Sequence, residues 1–199
     1  MNTIGRNDFL HYTTMVSAKN NALVSGDRLK AILSDVDFTA VLVDGLGSGA
    51  GANASASIVI EELEKSPAIK LDSLLEKSNE RMIGMRGAVA AAIRIKFKRK
   101  IIEFSSIGNI SCYIFRQHSK KIIYPRQMMG YLSGSPKKFT VQALEYQSGD
   151  FFFLHSDGLE INEAKHLLNE EEFIRAQSAR SNYIIFHNDD ASFIAGRLF

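Results

Sequence analysis

The stretch Val41-Leu42-Val43-Asp44-Gly45-Leu46-Gly47-Ser48-Gly49-Ala50-Gly51 constrains the rest of the chain. An apolar run from Ala40 stops at an acid, passes through alternating glycines, and enters an Ala/Ser-rich segment ending Glu61-Glu62-Leu63-Glu64. That order predicts strand, tight turn, helix. A P-loop would need Gly-Lys-Ser/Thr at the end of the turn, and no lysine stands there. A dinucleotide site needs Gly-x-Gly-x-x-Gly/Ala, which Gly45 to Ala50 formally satisfies. Asp44 would then oppose a pyrophosphate, and the acids about 20 residues on fall on the helix rather than at the end of a second strand. A metal site needs an acid at the strand end and a glycine whose bare backbone lets a carbonyl reach the same ion. A glycine-rich turn with no chemistry is the plain alternative, and the rest of the chain has to decide.

With 199 residues, 45% of them hydrophobic, the chain can bury one sizeable core. Three prolines and no low-complexity tract leave no linker, so a single domain over residues 1–199 is expected. A net charge of +2 is too small to imply a nucleic-acid or membrane partner. Cys112 is alone and cannot form an internal disulfide; without a signal peptide this favours a cytoplasmic location. No apolar run approaches the roughly 18 residues of a spanning helix.

Residues 9–16 read as a first strand, Asn20-Asn21 as a turn, and Leu29 to Leu33 as a strand. Ser34-Asp35-Val36-Asp37 then forms a hairpin connection into the strand ending at Val43. One helix is expected over about 52–65, stopped by Pro67, and a second over about 71–83, stopped near Gly84. After Gly87 the period changes. Residues 88–97, 100–106, 110–115 and 121–124 predict strands of an antiparallel meander, with a further strand over 139–146. Phe151 to Leu154 read as a buried strand, 162–180 as two short helical pieces, and Ala191 to Leu198 as a closing strand. The fold class expected is α+β: two antiparallel sheets stacked face to face and flanked by helices, an α-β-β-α sandwich.

Asp157-Gly158 repeats Asp44-Gly45, each an apolar strand followed by an acid and a glycine. Asp189-Asp190 stands just before the last strand, and Gly26-Asp27 beside a strand start. A lone Asp-Gly is usually a hairpin turn. Acids gathered at several strand ends are different, because clustered carboxylates repel and raise one another's pKa. Two hard divalent cations would resolve the conflict, and all-oxygen ligation suits Mg²⁺ or Mn²⁺ rather than zinc. Such a pair activates water for in-line attack on a phosphoryl group, so these residue types point to metal-dependent phosphoester hydrolysis.

Asp-Gly-Leu-Gly-Ser-Gly, the later Ser-Asp-Gly-Leu and the C-terminal Asp-Asp-x-Ser resemble the signature of PPM-type metal-dependent serine/threonine phosphatases. Within that family the small bacterial regulators of stress and sporulation sigma-factor pathways fit best. The likeness extends to Arg86-Gly87-Ala88, Ser106-Ile107-Gly108-Asn109, Gly130-Tyr131-Leu132-Ser133-Gly134 and Gly196-Arg197-Leu198. By this resemblance Asp44 bridges two metal ions and Gly45 offers a carbonyl. Asp27 completes one metal site, and Asp157 and Asp189 bind in the other; Asp44, Asp157 and Asp189 thus act through a metal-activated water. Asp190 supports the site from behind, and Gly87 and Gly108 let strands and loops approach it. The implied substrates are phosphorylated STAS-domain proteins of a stressosome, whose dephosphorylation shuts stress signalling down. Two departures stand out. Leu46 occupies the place of a histidine that larger relatives offer as general acid, and no residue matches their N-terminal phosphate-gripping arginine, with Arg28 and Lys19 as possible substitutes. These departures leave two alternatives: a catalytically weak regulator that only binds the phosphoprotein, or a related phosphatase acting on an anti-sigma-factor antagonist.

Other features carry less. His155-Ser156-Asp157 cannot be a hydrolase triad, because consecutive strand residues alternate faces. His11, His118, His166 and His187 show no ligand spacing, although His187 lies near Asp189 in sequence. Lys96, Lys98, Arg99 and Lys100 read as a solvated hairpin, and nothing aromatic interleaves them as nucleic-acid binding would want.

Overall fold

The computed structural model describes residues 2–161, 184–186 and 188–199. A six-stranded antiparallel sheet has the order β1 (Asn2–Arg6), β2 (Leu10–Ser17), β13 (Ala191–Leu198), β10 (Phe151–His155), β7 (Ser111–Arg116) and β8 (Lys121–Ile123). A five-stranded antiparallel sheet has the order β3 (Asp27–Leu33), β4 (Asp37–Gly45), β5 (Ala88–Lys96), β6 (Ile101–Ile107) and β9 (Gln142–Glu145). A separate ribbon pairs β11 (Leu159–Ile161) with β12 (Ile184–Phe186). Helices α1 (Gly49–Lys65) and α2 (Leu71–Glu80) follow β4. None of the described helices is long and apolar enough to cross a membrane.

Two-residue periodicity divides the five-stranded sheet between two cores. Phe38, Ala40 and Leu42 of β4 and Ala91, Ile93 and Ile95 of β5 meet Leu10, Phe152, Leu154 and Ile194 between the sheets. The alternate residues Val41, Val43, Ala88, Ala90 and Ala92 face Val59 and Leu63 of α1 and Leu71, Leu74 and Leu75 of α2. The alanines on β5 let the helices lie close to the sheet. Arg94, almost fully buried on that face, donates from Nε to Thr39 Oγ1 at 2.7 Å and from Nη2 to the Pro67 carbonyl at 2.8 Å. It thereby fastens the turn between the helices to the sheet. On the far face of the six-stranded sheet Phe115, Phe153 and Phe193 form a third buried cluster.

The sandwich of two antiparallel sheets is as expected, with both described helices on one side of it. The expected segment 162–180 lies outside the described residues. Other boundaries shift for identifiable reasons. β1 escaped the sequence reading because Asn2–Arg6 carries one large apolar residue, Ile4, and that is exposed at a sheet edge. The expected meander is broken: β5 and β6 belong to one sheet, β7 and β8 to the other. Gly108, with φ +99°, turns the chain between them, so Ile107 packs towards the helices while Ile110 packs between the sheets. The expected strand over 139–146 shrinks to Gln142–Glu145, because Phe139 and Val141 leave the ladder to pack in the helix-side core. α2 stops at Glu80, three residues short of the expected end, and the chain turns before the positive φ of Gly84.

Candidate metal centre and active site

The β3–β4 hairpin sets the first pair of acids. Gly45 N–H donates to the Gly26 carbonyl at 3.3 Å, and the register then places Asp27 directly opposite Asp44. That pair is of the non-hydrogen-bonded kind, in which facing side chains come closest, and like charges so placed destabilise the sheet. Gly26 does not return the bond to Gly45. Its N–H goes to Asp190 Oδ2 at 2.8 Å, and no described residue donates to the Gly45 carbonyl. Gly45 must also be bare, because a Cβ there would collide with the Ala52 carbonyl of α1. The strand end therefore sets a half-buried carboxylate and a carbonyl side by side.

The other acids come from the six-stranded sheet. Asp157 follows β10, and Asp189 and Asp190 precede β13, the two strands being neighbours. Asp44, Asp157, Asp189 and Asp190 line one cavity of about 280 Å³, together with Leu46, Gly47, Val89 and Asn109. Asp27 and Gly45 lie behind that wall rather than on it. Asp190 is buried and spends both oxygens on backbone, Oδ1 accepting from Lys19 N–H at 2.8 Å and Oδ2 from Gly26. It clasps the segment that leads into Asp27. Asp189 and Asp157 are exposed at the rim. Gly158 passes so close to the Asp190 carbonyl that no side chain fits there. Gly87 accepts the Leu46 N–H at 3.0 Å, and Gly108 donates to the Met128 carbonyl at 2.8 Å, so both join the loops around the cavity.

Sequence reasoning overlooked several partners. Asn109 Nδ2 donates to Asp157 Oδ2 at 2.9 Å and orients it. Ser192 Oγ donates to Asp27 Oδ2 at 2.6 Å, and Ser156 Oγ accepts from the Ser192 N–H. Ser192 belongs to the Asp-Asp-x-Ser motif and Asn109 directly follows Gly108, so both stood in plain view without a role. Of the two cations suggested by the sequence, Lys19 reaches Asp189 at 3.6 Å. Arg28 instead lines a separate groove along β3, beside the Lys30–Glu64 ion pair. His166 and His187 lie outside the described residues. His155 is buried, with Nδ1 against the Ser156 carbonyl, and is no member of a triad.

Electrostatics and donor chemistry fit divalent metal ions. Burial, reinforced by Asp27, Asp157, Asp189 and Asp190, pushes the Asp44 carboxyl up to about 8. Burial likewise pushes Asp27 up to about 6, although the Ser192 and Ser156 hydroxyls pull the other way. Asp27 Oδ1 is buried without a hydrogen-bond partner, and such an atom costs free energy unless a cation or donor meets it. All the available donors are oxygens, the set preferred by Mg²⁺ and Mn²⁺. Among the described residues no three acidic, histidine or cysteine side chains already converge on one point. Asp44, Asp157, Asp189 and Asp190 instead stand around the cavity.

Residues 34–192 match the family Stage II sporulation protein E (SpoIIE). The chain belongs to the SpoIIE family. It is 29% identical over 191 residues to the phosphoserine phosphatase RsbX of Bacillus subtilis (strain 168), covering 94% of this chain and 96% of that relative. A crystal structure of RsbX in complex with magnesium superposes with a TM-score of 0.90 over 100% of both chains, at 27% identity. A second structure, described with the bacterial stressosome as a modular system adapted to control secondary messenger signalling, gives 0.79 at 28% identity over 94% and 99% of the two chains. The catalytic domain of the serine/threonine phosphatase PstP with two manganese ions shares the fold alone, at 0.69 and 16% identity over 96% and 98%. The resemblance to PPM-type phosphatases and the expected sandwich are thus borne out. The same fold holds magnesium in the RsbX crystal and two manganese ions in the PstP catalytic domain.

Proposed function

We propose that this chain is a metal-dependent phosphatase of the RsbX kind, a single domain that removes phosphate from phosphoserine or phosphothreonine on STAS-domain proteins of a stressosome. The observation that carries the reading is the ring of Asp44, Asp157 and Asp189 around one cavity, with Asp27 facing Asp44 from behind. In this reading Asp44 and the Gly45 carbonyl would help to hold the ions, with Asp27 serving one, and Asp157 and Asp189 the other. When bound, the ions supply an activated water and neutralise the phosphoryl oxygens. The chain's own part is positioning. Asn109 orients Asp157, Ser192 orients Asp27, and Asp190 fixes the backbone of residues 19–26 against β13. Val89 and Leu46 form the apolar side of the cavity. A protein with these partners works in the cytoplasm.

The test is phosphate release from a serine-phosphorylated STAS-domain protein, with Mn²⁺ and with EDTA, for wild type and Asp44→Asn. Turnover that requires both the metal and Asp44 is expected. Tight binding of the phosphoprotein by wild type without turnover would replace this reading with that of a phosphoprotein-binding regulator. A panel that includes a phosphorylated anti-sigma-factor antagonist separates the two substrate classes.

A further inference from the structure

Two loops beside the acid cavity hold large apolar side chains in solvent. Residues 81–87 present Ile83 and Met85, 77% and 39% exposed, and residues 124–135 present Met129 and Tyr131, 87% and 44% exposed. These are not scattered singly. The Tyr131 ring lies over Gly87, where a Cβ would sit 2.7 Å from it, and Ile83 packs equally closely on Gly134. Ala88 and Leu132 exchange backbone hydrogen bonds of 3.2 and 2.8 Å along the seam. The buried Asn79 clasps it from below, accepting from the Ser133 and Gly134 N–H groups and donating to the Ser135 carbonyl. The ridge is therefore pre-organised. It is also continuous with the cavity wall, through Gly87 to Leu46 and through Met128 to Gly108 and Asn109.

Arg86 stands at the inner end of this ridge. Its guanidinium lies across the glycine loop, donating from Nη1 to the Ser48 carbonyl at 3.0 Å. A side chain at Gly51 would meet Arg86 Nε at 2.6 Å, and one at Gly47, a residue of the cavity wall, would meet Nη1 at 3.2 Å. Of the glycines that invite a dinucleotide reading, Gly47 makes room for this arginine, as does Gly51 just beyond them. No carboxylate pairs with Arg86 among the described residues. Its remaining N–H groups form an ordered fork suited to an oxyanion.

We infer that the Ile83–Met85–Met129–Tyr131 ridge and Arg86 together form the docking surface for a folded phosphoprotein, which lays apolar side chains on the ridge and turns its phosphate past Arg86 into the cavity. This rests on the reading of the cavity as a phosphatase site. The charge of Arg86 complements a phosphate, and an exposed apolar patch that rims a polar site is what a protein partner would cover. A small phosphoester reaches the cavity and Arg86 but not the ridge. Two methionines let the surface repack against partners of related shape.

The experiment compares kcat/KM for a phosphorylated STAS-domain protein with kcat/KM for p-nitrophenyl phosphate, in wild type, Ile83→Ser/Met129→Ser and Val36→Ser. Val36 is 71% exposed in the hairpin between β3 and β4, at the far end of both strands from Asp27 and Asp44. The double variant is expected to lose about tenfold in the ratio of the two constants, through KM for the protein, while Val36→Ser keeps the wild-type ratio. An unchanged ratio in the double variant overturns the inference. So does an unchanged ratio accompanied by loss of self-association in sedimentation, which would make the ridge an interface between copies. If wild type hydrolyses neither compound, the phosphatase reading fails. Calorimetric binding of the phosphoprotein then judges the ridge separately, and equal affinity for wild type and double variant rejects it.

Discussion

Replacing Asp44 by Asn should make the protein without metal more stable, and the effect should grow with pH. Asp44 is raised from 3.8 to about 8 by burial and by four neighbouring acids. A carboxyl whose pKa is higher in the fold than in the unfolded chain holds a proton there that the unfolded chain has released. Stability is therefore undiminished below about pH 4, falls as pH rises through the window from 4 to 8, and levels off above it. At 1.36 kcal/mol per unit the climb sets a ceiling of about 5–6 kcal/mol. Water reaches part of the Asp44 side chain and screens its neighbours, so a penalty of about 2 kcal/mol at pH 8 is the expected size. The amide of the Asp44→Asn variant would carry no charge and escape it. For a domain of this length, that corresponds to a melting temperature higher by about 4–8 °C. The assay is thermal unfolding in EDTA at pH 5, 6.5 and 8, followed by circular dichroism. The order should invert with millimolar Mn²⁺, because binding to the folded state stabilises wild type by mass action and the variant less. An Asp44→Asn protein no more stable than wild type at pH 8, or a difference that does not shrink towards pH 5, would refute the argument from crowded carboxylates.

Other substitutions test single contacts. Asp190→Ala strands the buried Gly26 N–H and the Lys19 N–H, and should cost about 2 kcal/mol in chemical denaturation and weaken Mn²⁺ binding. Asn109→Ala removes an exposed contact, so stability should move by less than about 0.5 kcal/mol. Asp157 would lose its orientation, and the Mn²⁺ concentration needed for half-maximal phosphate release should rise about tenfold. Gly158→Ala drives a methyl group into the Asp190 carbonyl, and should cost about 3 kcal/mol, read as a lowered melting temperature.

How far the sequence carried depended on whether a feature was local. Asp44 was legible because an apolar run, an acid and a glycine are consecutive, and β3 and β4 were legible because a short hairpin joins them. The acid cluster could be anticipated from repeated acids at strand ends, since each strand end can be placed without knowing the sheet order. What could not be read were partners fixed by long-range packing. Asn109 reaches Asp157 only because β7 and β10 are neighbours, and Ser192 reaches Asp27 across two sheets. The break between β6 and β7 has the same origin: a glycine at positive φ marks a turn but does not say which sheet the next strand will join. Arg86 stands in the Arg-Gly-Ala motif, yet its place across Gly47 and Gly51 follows from how α1 and β5 lie together.

The Asp190 clasp has a consequence for the order of assembly. It ties residues 19 and 26 to a position more than 160 residues later, and β13, which follows it, lies between β2 and β10 in the middle of its sheet. A chain still emerging from the ribosome would hold Asp27, Asp44 and Asp157 while lacking both Asp189 and the strand that brings the N-terminal hairpin alongside β10. Contacts of such long sequence separation form late and slowly. Asp157 and Asp189 are thus kept from the Asp27–Asp44 pair until β13 has been made, and the repulsion among the four is met only once that strand is there to bear it.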